Sequence, residues 1–293
     1  MTIDIMLPFW GRFDHFREAV ESVRAQTRTD WRLTVVDDVY PDLEPGRWVQ
    51  GLGDDRITYL RNSENLGTSR NYLKCVSLMS ADRAVIMGCD DVMLPDYLET
   101  VDRLIADHPD AGVIQPGAQV IDEDGVVYLP PADRMKRLLM PRGHGTRSYR
   151  GEGIATSLLR GNWTYFPSLV WRVDLLRRYG FDPDLTIVQD LGMLLDIIAG
   201  GDEFVLDDRT VFQYRRHAAS LSSSAAVDGS RFRQERELFD RERSRFRALG
   251  WRRASRAAAR HASSRLHALM LVPRALRAGD RNGVRILTAH GLG

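Results

Sequence analysis

Two pairs of neighbouring aspartates, Asp37-Asp38 and Asp90-Asp91, each follow a short apolar run, at residues 33–36 and 84–87. Hard divalent cations such as Mg²⁺ or Mn²⁺ prefer carboxylate oxygens, and commonly take one or two carboxylates together with phosphate oxygens of a substrate. A metal held this way on a diphosphate would stabilise the charge that grows as the diphosphate leaves. A single Asp-Asp pair at a strand end is ordinarily a turn with a helix cap. Two pairs at equivalent places, one strand unit apart, point instead to a shared site.

The elements around them fit that placement. Strands are expected at 3–7, stopped by Pro8, and at 33–36, 57–60 and 84–87. Helices are expected at 15–26, with Asp14 as its N-cap, at about 68–80, and after Pro95, where Tyr97, Leu98, Val101, Leu104 and Ile105 recur at helical spacing. Strand and helix in alternation give an α/β fold, a mostly parallel sheet flanked by helices. In such sheets ligands bind beyond the carboxyl ends of the strands, where both aspartate pairs fall. Short strands return over 113–128. Residues 130–151, rich in Pro, Arg and Gly, have no clear period and read as a mobile loop over the site. Strand character at 163–171, a short helix at 173–179, a helix at 190–199 closed by Gly200-Gly201, and a strand at 204–206 follow, and the sequence at 212–217 closes the folded part.

Composition places limits on function. The chain has 293 residues, 43% hydrophobic and 28% charged, with a formal net charge of +1. These are the proportions of a globular protein with a sizeable core and no overall bias toward nucleic acid. Cys75 and Cys89 form no C-x-x-C pair and suit a reduced compartment. No apolar run is long enough for a signal peptide or a membrane span, so a cytoplasmic location is expected.

In their order along the chain, these motifs resemble the family 2 glycosyltransferases of the GT-A fold. Ile5-Met-Leu-Pro8 and the run from Phe16 to Thr27, with its Glu21-Ser-Val-Arg-Ala-Gln-Thr27 end, look like the family's first strand and helix. Val35-Val-Asp-Asp38 resembles its second strand end. Asn65-Leu-Gly67 with Arg70-Asn71 is similar to the following N-x-G…R-N segment. Gly88-Cys-Asp-Asp91 with Leu94-Pro95 resembles the metal motif, and Phe181-Asp-Pro-Asp184 with Gln189-Asp190 the acceptor-side element. The likeness covers roughly residues 3–217.

The resemblance implies a sugar-nucleotide-dependent inverting transferase, using UDP or dTDP sugars, with a divalent cation (Mn²⁺ or Mg²⁺). Pro8, Asp37, Asp38, Asn65, Gly67, Arg70, Asn71 and Asp90 would line the donor site. Asp38 would accept the N3–H of a uracil or thymine, which only an acceptor can do. Arg70 would present its fork of donors to base or phosphate, or else lie solvated. Asp91 would ligate the metal with Asp90, and His217 would add an imidazole to metal or diphosphate. Asp190 would deprotonate the acceptor hydroxyl; an aspartate before an apolar helical run is also a good N-cap. Arg215 and Arg216 would reach phosphate or be surface charge. Gly161-Asn162 and Pro167-Ser168 would line the sugar side, while Trp163, Tyr165 and Trp171 fit a core better than a sugar platform.

The chain departs from the family pattern in three places. Gly88 stands where an acid is common, Gln189 replaces the Glu of the usual Glu-Asp pair, and Phe9-Trp10-Gly11 follows the first strand. The expected organisation is a catalytic domain over 1–217, with a nucleotide half to about 112 and an acceptor half beyond, then a linker at 218–230 and a basic helical extension at 231–293. That extension could lie on an anionic membrane and meet a lipid-linked acceptor, or pack its alanines on the catalytic domain; no nucleic-acid module is present. Two other functions fit the same fold. One is nucleotidyl transfer, opposed by the lack of a Gly-rich phosphate loop after the first strand. The other is non-catalytic sugar-nucleotide binding or scaffolding, suggested by Gly88 and Gln189.

Overall fold

The computed structural model describes residues 1–216, 230–277 and 279–293. Its nine strands form one sheet: β1 (Ile3–Phe9), β2 (Trp31–Asp37), β3 (Ile57–Arg61), β4 (Arg83–Ile86), β5 (Val92–Met93), β6 (Ala111–Ile121), β7 (Arg147–Tyr149), β8 (Val170–Arg172) and β9 (Glu203–Arg215). Spatially they run β3-β2-β1-β4-β8-β6-β9-β5, with β7 also paired to β9. The first four are parallel, β8 runs against β4 and β6, and β9 is parallel to β6. The expected mixed, mostly parallel α/β sheet is therefore present.

Alternation along β1 divides the core in two. Ile3, Ile5, Leu7 and Phe9 pack with Phe16, Ala19, Val20 and Val23 of α1 (Phe13–Arg24), and with Tyr97, Leu98 and Val101 further along. Met6 faces the opposite layer, where Cys75, Trp171 and Leu194 pack. A strand covered on both faces must be apolar at nearly every position, as β1 is. The helices are α2 (Glu44–Gly51), α3 (Thr68–Leu78), α4 (Tyr97–Asp107), α5 (Pro131–Leu139), α6 (Glu152–Arg160), α7 (Val173–Tyr179) and α8 (Gln189–Ala199), then α9 (Ser230–Ala248), α10 (Arg252–Arg260), α11 (Ala262–Arg277) and α12 (Arg281–Leu292).

Several expectations change. Pro8 does not end β1, which continues to Phe9 in register with Asp37. The Met6 carbonyl bonds the Met87 amide on the β4 side, and alternate residues face the same neighbour. Pro8 thus points beyond Ile86, the last paired residue of β4, where no ladder amide is needed. Helix α1 begins at Phe13, so Asp14 lies inside its first turn. Residues 130–151 are not a structureless loop: Pro131 opens α5 and β7 pairs with β9. The Pro-Pro-Ala-Asp start, with proline at the first helical position and an acid in the first turn, carried that signal. The strand expected at 204–206 is longer, running as β9 through most of the 212–217 sequence to Arg215. The proposed linker lies outside the described residues except at Ser230, which opens α9.

In the C-terminal helices the alanines of α10 pack on the sheet-and-helix core. Ala254 and Ala258 are buried in the same core as α6 and α8, and Glu152 of α6 accepts the Arg253 and Ala254 amides at 2.5 and 3.3 Å, satisfying donors at the start of α10.

Candidate active site

At the end of β2 the two aspartates have different work. Asp37 is completely buried, accepting from the Tyr40 amide at 2.7 Å, from Arg61 at 2.6 Å and from the Tyr59 hydroxyl. With both oxygens engaged inside the fold it is a clamp between β2 and β3, not a ligand group facing the cleft. Asp38 anchors the next turn. Its Oδ1 accepts from Asn62 and the Leu66 amide, each at 2.8 Å, and its Oδ2 accepts from the Gly67 amide at 2.9 Å.

Asn65 closes this turn from its other side. Its amide donates to the Asp38 carbonyl at 3.0 Å, and its Oδ1 accepts from Gly67 at 3.1 Å. Gly67, at φ 73°, is the residue before α3, in a left-handed conformation that suits glycine. Asn71 is buried, with Oδ1 held by Asn62 and Nδ2 by the Val36 carbonyl, so its role is to brace the turn. Arg70, the preceding residue of α3, is exposed.

Beyond β4 the chain turns through Gly88 to Asp90 and Asp91. Asp91 is buried; its Oδ1 accepts from the Arg215 amide at 2.8 Å, while its Oδ2 has no partner among the described residues. Burial, and then the neighbouring Asp90 charge, push the Asp91 carboxyl well above the usual carboxylate range. A Cβ on Gly88 would stand 2.4 Å from Asp91 Oδ2 and 3.1 Å from Asp90 Oδ1. The glycine is therefore what lets both carboxylates turn inward.

Arg215, which the sequence leaves between phosphate ligand and surface charge, is neither. It is buried, and its guanidinium donates to the Asp90 carbonyl at 2.7 Å, to the Asp122 and Glu123 carbonyls at 3.0 and 3.1 Å, and to Glu18. One side chain thus ties β9 to the aspartate turn and to the end of β6. Such a fork of fixed donors is what an arginine supplies and a lysine does not. His217 lies outside the described residues.

Asp190 sits in the first turn of α8, two residues past the capping position at Val188. Its Oδ2 accepts from Asn162 at 2.8 Å. Burial raises its carboxyl, against the Leu191 amide, Asn162 and the charges of Lys136 and Arg231, which favour the ionised form. Asn162 is held in turn by Thr164, whose hydroxyl and amide donate to its Oδ1 at 2.6 and 3.2 Å. The Thr164 carbonyl accepts from Lys136 at 2.7 Å, and the ammonium rests 4.4 Å from the Tyr165 ring centroid. Burial, with Arg216 nearby, lowers Lys136 to about 8. A continuous polar chain therefore runs from Lys136 on α5 to Asp190 on α8, each link polarising the next.

Helix α5 is pinned over this chain by Asp133, fully buried, which accepts from Arg216 at 2.6 and 3.1 Å and from the Tyr165 hydroxyl at 3.0 Å. Replacing Asp133 by Leu is expected to lower stability by about 2–3 kcal/mol, since it strips a bidentate partner from Arg216; urea unfolding measures this, and a loss below about 0.5 kcal/mol contradicts the pinning role. Trp163 and Trp171 are fully buried and Tyr165 is 4% exposed, so all three are core. Asp133, Lys136, Asn162 as a partner of Asp190, Glu18 and the structural part of Arg215 had no motif to announce them.

The two aspartate turns follow the carboxyl ends of β2 and β4. The model of glycosyl transferase family 2 matches residues 4–168, more than half of the chain. The chain belongs to that family. It is 25% identical over 256 residues to a glycosyl transferase named for colanic acid biosynthesis in Escherichia coli, the match spanning 83% of this chain and 85% of that one. To an uncharacterized glycosyltransferase of Methanocaldococcus jannaschii it is 22% identical over 203 residues, 69% of this chain and 66% of the relative. Among solved structures it superposes on TarS of S. aureus in complex with UDP-GlcNAc with a TM-score of 0.64, at 13% identity, over 98% of this chain and 90% of that one. A mannosyltransferase of Pyrobaculum calidifontis, in complex with GDP-Man and Mn²⁺, gives 0.60 at 15% identity, over 99% and 84%. These likenesses give the family 2 enzyme its GT-A fold.

Proposed function

We propose that this chain transfers a sugar from a nucleotide-diphosphate sugar to an acceptor hydroxyl, with inversion at the anomeric carbon, in the assembly of a cell-surface polysaccharide or glycoconjugate. The observation that carries the reading is Asp91 Oδ2, a buried carboxylate oxygen with no partner among the described residues, beside a second carboxylate at the carboxyl end of β4. A buried carboxyl oxygen left unpaired beside a second carboxylate suits a cation, which would favour the ionised form of both.

The donor set fits a divalent metal. Asp91 and Asp90 would hold it, with substrate phosphates completing the shell, since no group of three His, Cys, Asp or Glu able to hold a metal occurs among the described residues. When bound, the cation supplies charge neutralisation for the departing diphosphate. His217 remains a proposed further ligand.

The protein's own groups do the rest. Asp38 Oδ2 accepts one amide, leaving a lone pair for the N3–H of uracil or thymine, which favours UDP or dTDP donors. Pro8, Asn65, Gly67 and Arg70 would contribute to the donor side, while Asp37 and Asn71 would act by bracing the turns that shape it. Asp190 takes the acceptor proton as the acceptor oxygen bonds to the anomeric carbon and the bond from that carbon to the diphosphate oxygen breaks, releasing nucleoside diphosphate. Asn162 orients Asp190, and both Asn162 and the Lys136 charge favour its ionised form. Family membership favours glycosyl over nucleotidyl transfer.

Incubating the full chain with Mn²⁺ or Mg²⁺ and a panel of UDP, dTDP and GDP sugars, with nucleoside diphosphate release as the signal, tests the reading. Metal-dependent release from at least one donor is expected. Absence of both release and metal-dependent nucleotide binding would leave the non-catalytic scaffold as the answer.

A further inference from the structure

Helix α11 fully buries only small residues, Ser264, Ala268 and Ala275, with Leu271 and Val272 packed partly against the same small core, and it turns Leu266, Met270 and Leu276 outward at 55%, 69% and 62% exposure. Leu269 is 38% exposed, and Leu292, at the end of the neighbouring α12, is 77% exposed. A helix that packs on a protein core shows the reverse, large apolar residues inward and polar ones outward. Contiguous exposed apolar side chains of this kind mark a surface that is covered in use.

The charge around that stripe selects what covers it. Residues 252–293 contain nine arginines and one acid, Asp280, although the whole chain is nearly neutral at +1. Arg274 and Arg277 are exposed on the same stripe as Leu266 and Met270, and Arg281 and Arg285 are exposed on α12. A second copy of this face would bring arginine against arginine, which opposes a two-fold contact. A nucleic acid would use the arginines and leave the leucines and methionine in water. A bilayer with acidic headgroups uses both, taking the apolar side chains into the acyl boundary while the arginines snorkel to phosphate.

We propose that the outward face of α11, with the end of α12, is a docking surface for an anionic lipid bilayer. No helix among the described residues is long and apolar enough to cross a membrane, so the contact is peripheral. The proposal stands on surface composition alone and does not depend on the transfer reaction.

The test is co-sedimentation of the full chain with vesicles of phosphatidylcholine alone, or with about one third phosphatidylglycerol, at low and at about 0.5 M salt, where screening is strong. Binding to the acidic vesicles, weakened by salt, is expected. Leu266→Ser with Met270→Ser and Leu276→Ser should reduce it at least about tenfold. Arg274→Gln with Arg277→Gln should reduce it by about fivefold per arginine and erase the preference for acidic lipid. All five positions are exposed, so thermal melting of both variants should match the parent. The proposal is overturned by equal binding to both vesicle types, by no binding, by binding unchanged in either variant, or by a vesicle-free dimer or an RNA complex that the serine variant abolishes.

Discussion

Asp190→Asn is expected to lower sugar transfer by about a thousandfold, the scale of a lost general base, while leaving metal-dependent donor binding unchanged. The substitution keeps size and shape and retains an oxygen acceptor for the Asn162 amide. It removes only the ability to take a proton. Because burial raises this carboxyl, the acid limb of the rate against pH should lie above the ordinary carboxylate range. Lys136→Met takes away a charge that favours the ionised form, so that limb should move to still higher pH, with the plateau rate at high pH less affected than the rate at low pH. Single-turnover rates across pH, with donor affinity by calorimetry, separate the two effects. Full activity in Asp190→Asn would assign the base elsewhere, and an unmoved limb in Lys136→Met would leave the polar chain a purely structural feature.

The sequence makes the donor side far more legible than the acceptor side, and the reason is physical. β1, β2 and β4 bury both faces, so their apolar runs stand out, and the turns that follow must carry ligand groups at fixed positions. Asp38, Asn65, Gly67 and Asp91 therefore sit in short, ordered motifs. Asp190 is supported by Asn162 and Thr164 of one loop and Lys136 of α5, segments whose meeting is decided by tertiary packing. Each is unremarkable alone. Helix α5 was hidden for another reason, since most of its residues are exposed and only Asp133 is buried, which leaves no apolar period to read. The same limit explains Asp37: a strand-end carboxylate facing a ligand and one facing Tyr59 and Arg61 look alike until β3 is placed beside it.

Asp91→Asn should make the ligand-free protein more stable at neutral pH while removing its response to metal and nucleotide. The sign follows from the raised carboxyl. A group whose pKa is higher folded than unfolded holds its proton more tightly in the folded state, so its stabilising contribution is complete below the unfolded pKa and is lost as pH rises through the folded one. At neutral pH Asp91 is thus a cost to the ligand-free fold, aggravated by Asp90. Asparagine keeps an acceptor for the Arg215 amide and drops the charge. A gain of about 1 kcal/mol, typical for relieving a strained functional position, corresponds to a rise of about 2–4 °C in melting temperature. The difference should shrink as pH falls into the carboxylate range, where the parent Asp91 is protonated as well. With Mn²⁺ and a nucleoside diphosphate present at about a hundred times Kd the parent should gain about 2.7 kcal/mol and overtake the variant. Melting both proteins across pH, with and without ligand, reads all three effects. A variant that is less stable at every pH, or that still gains from metal and nucleotide, would show that the unpaired Asp91 oxygen serves the fold and not the donor.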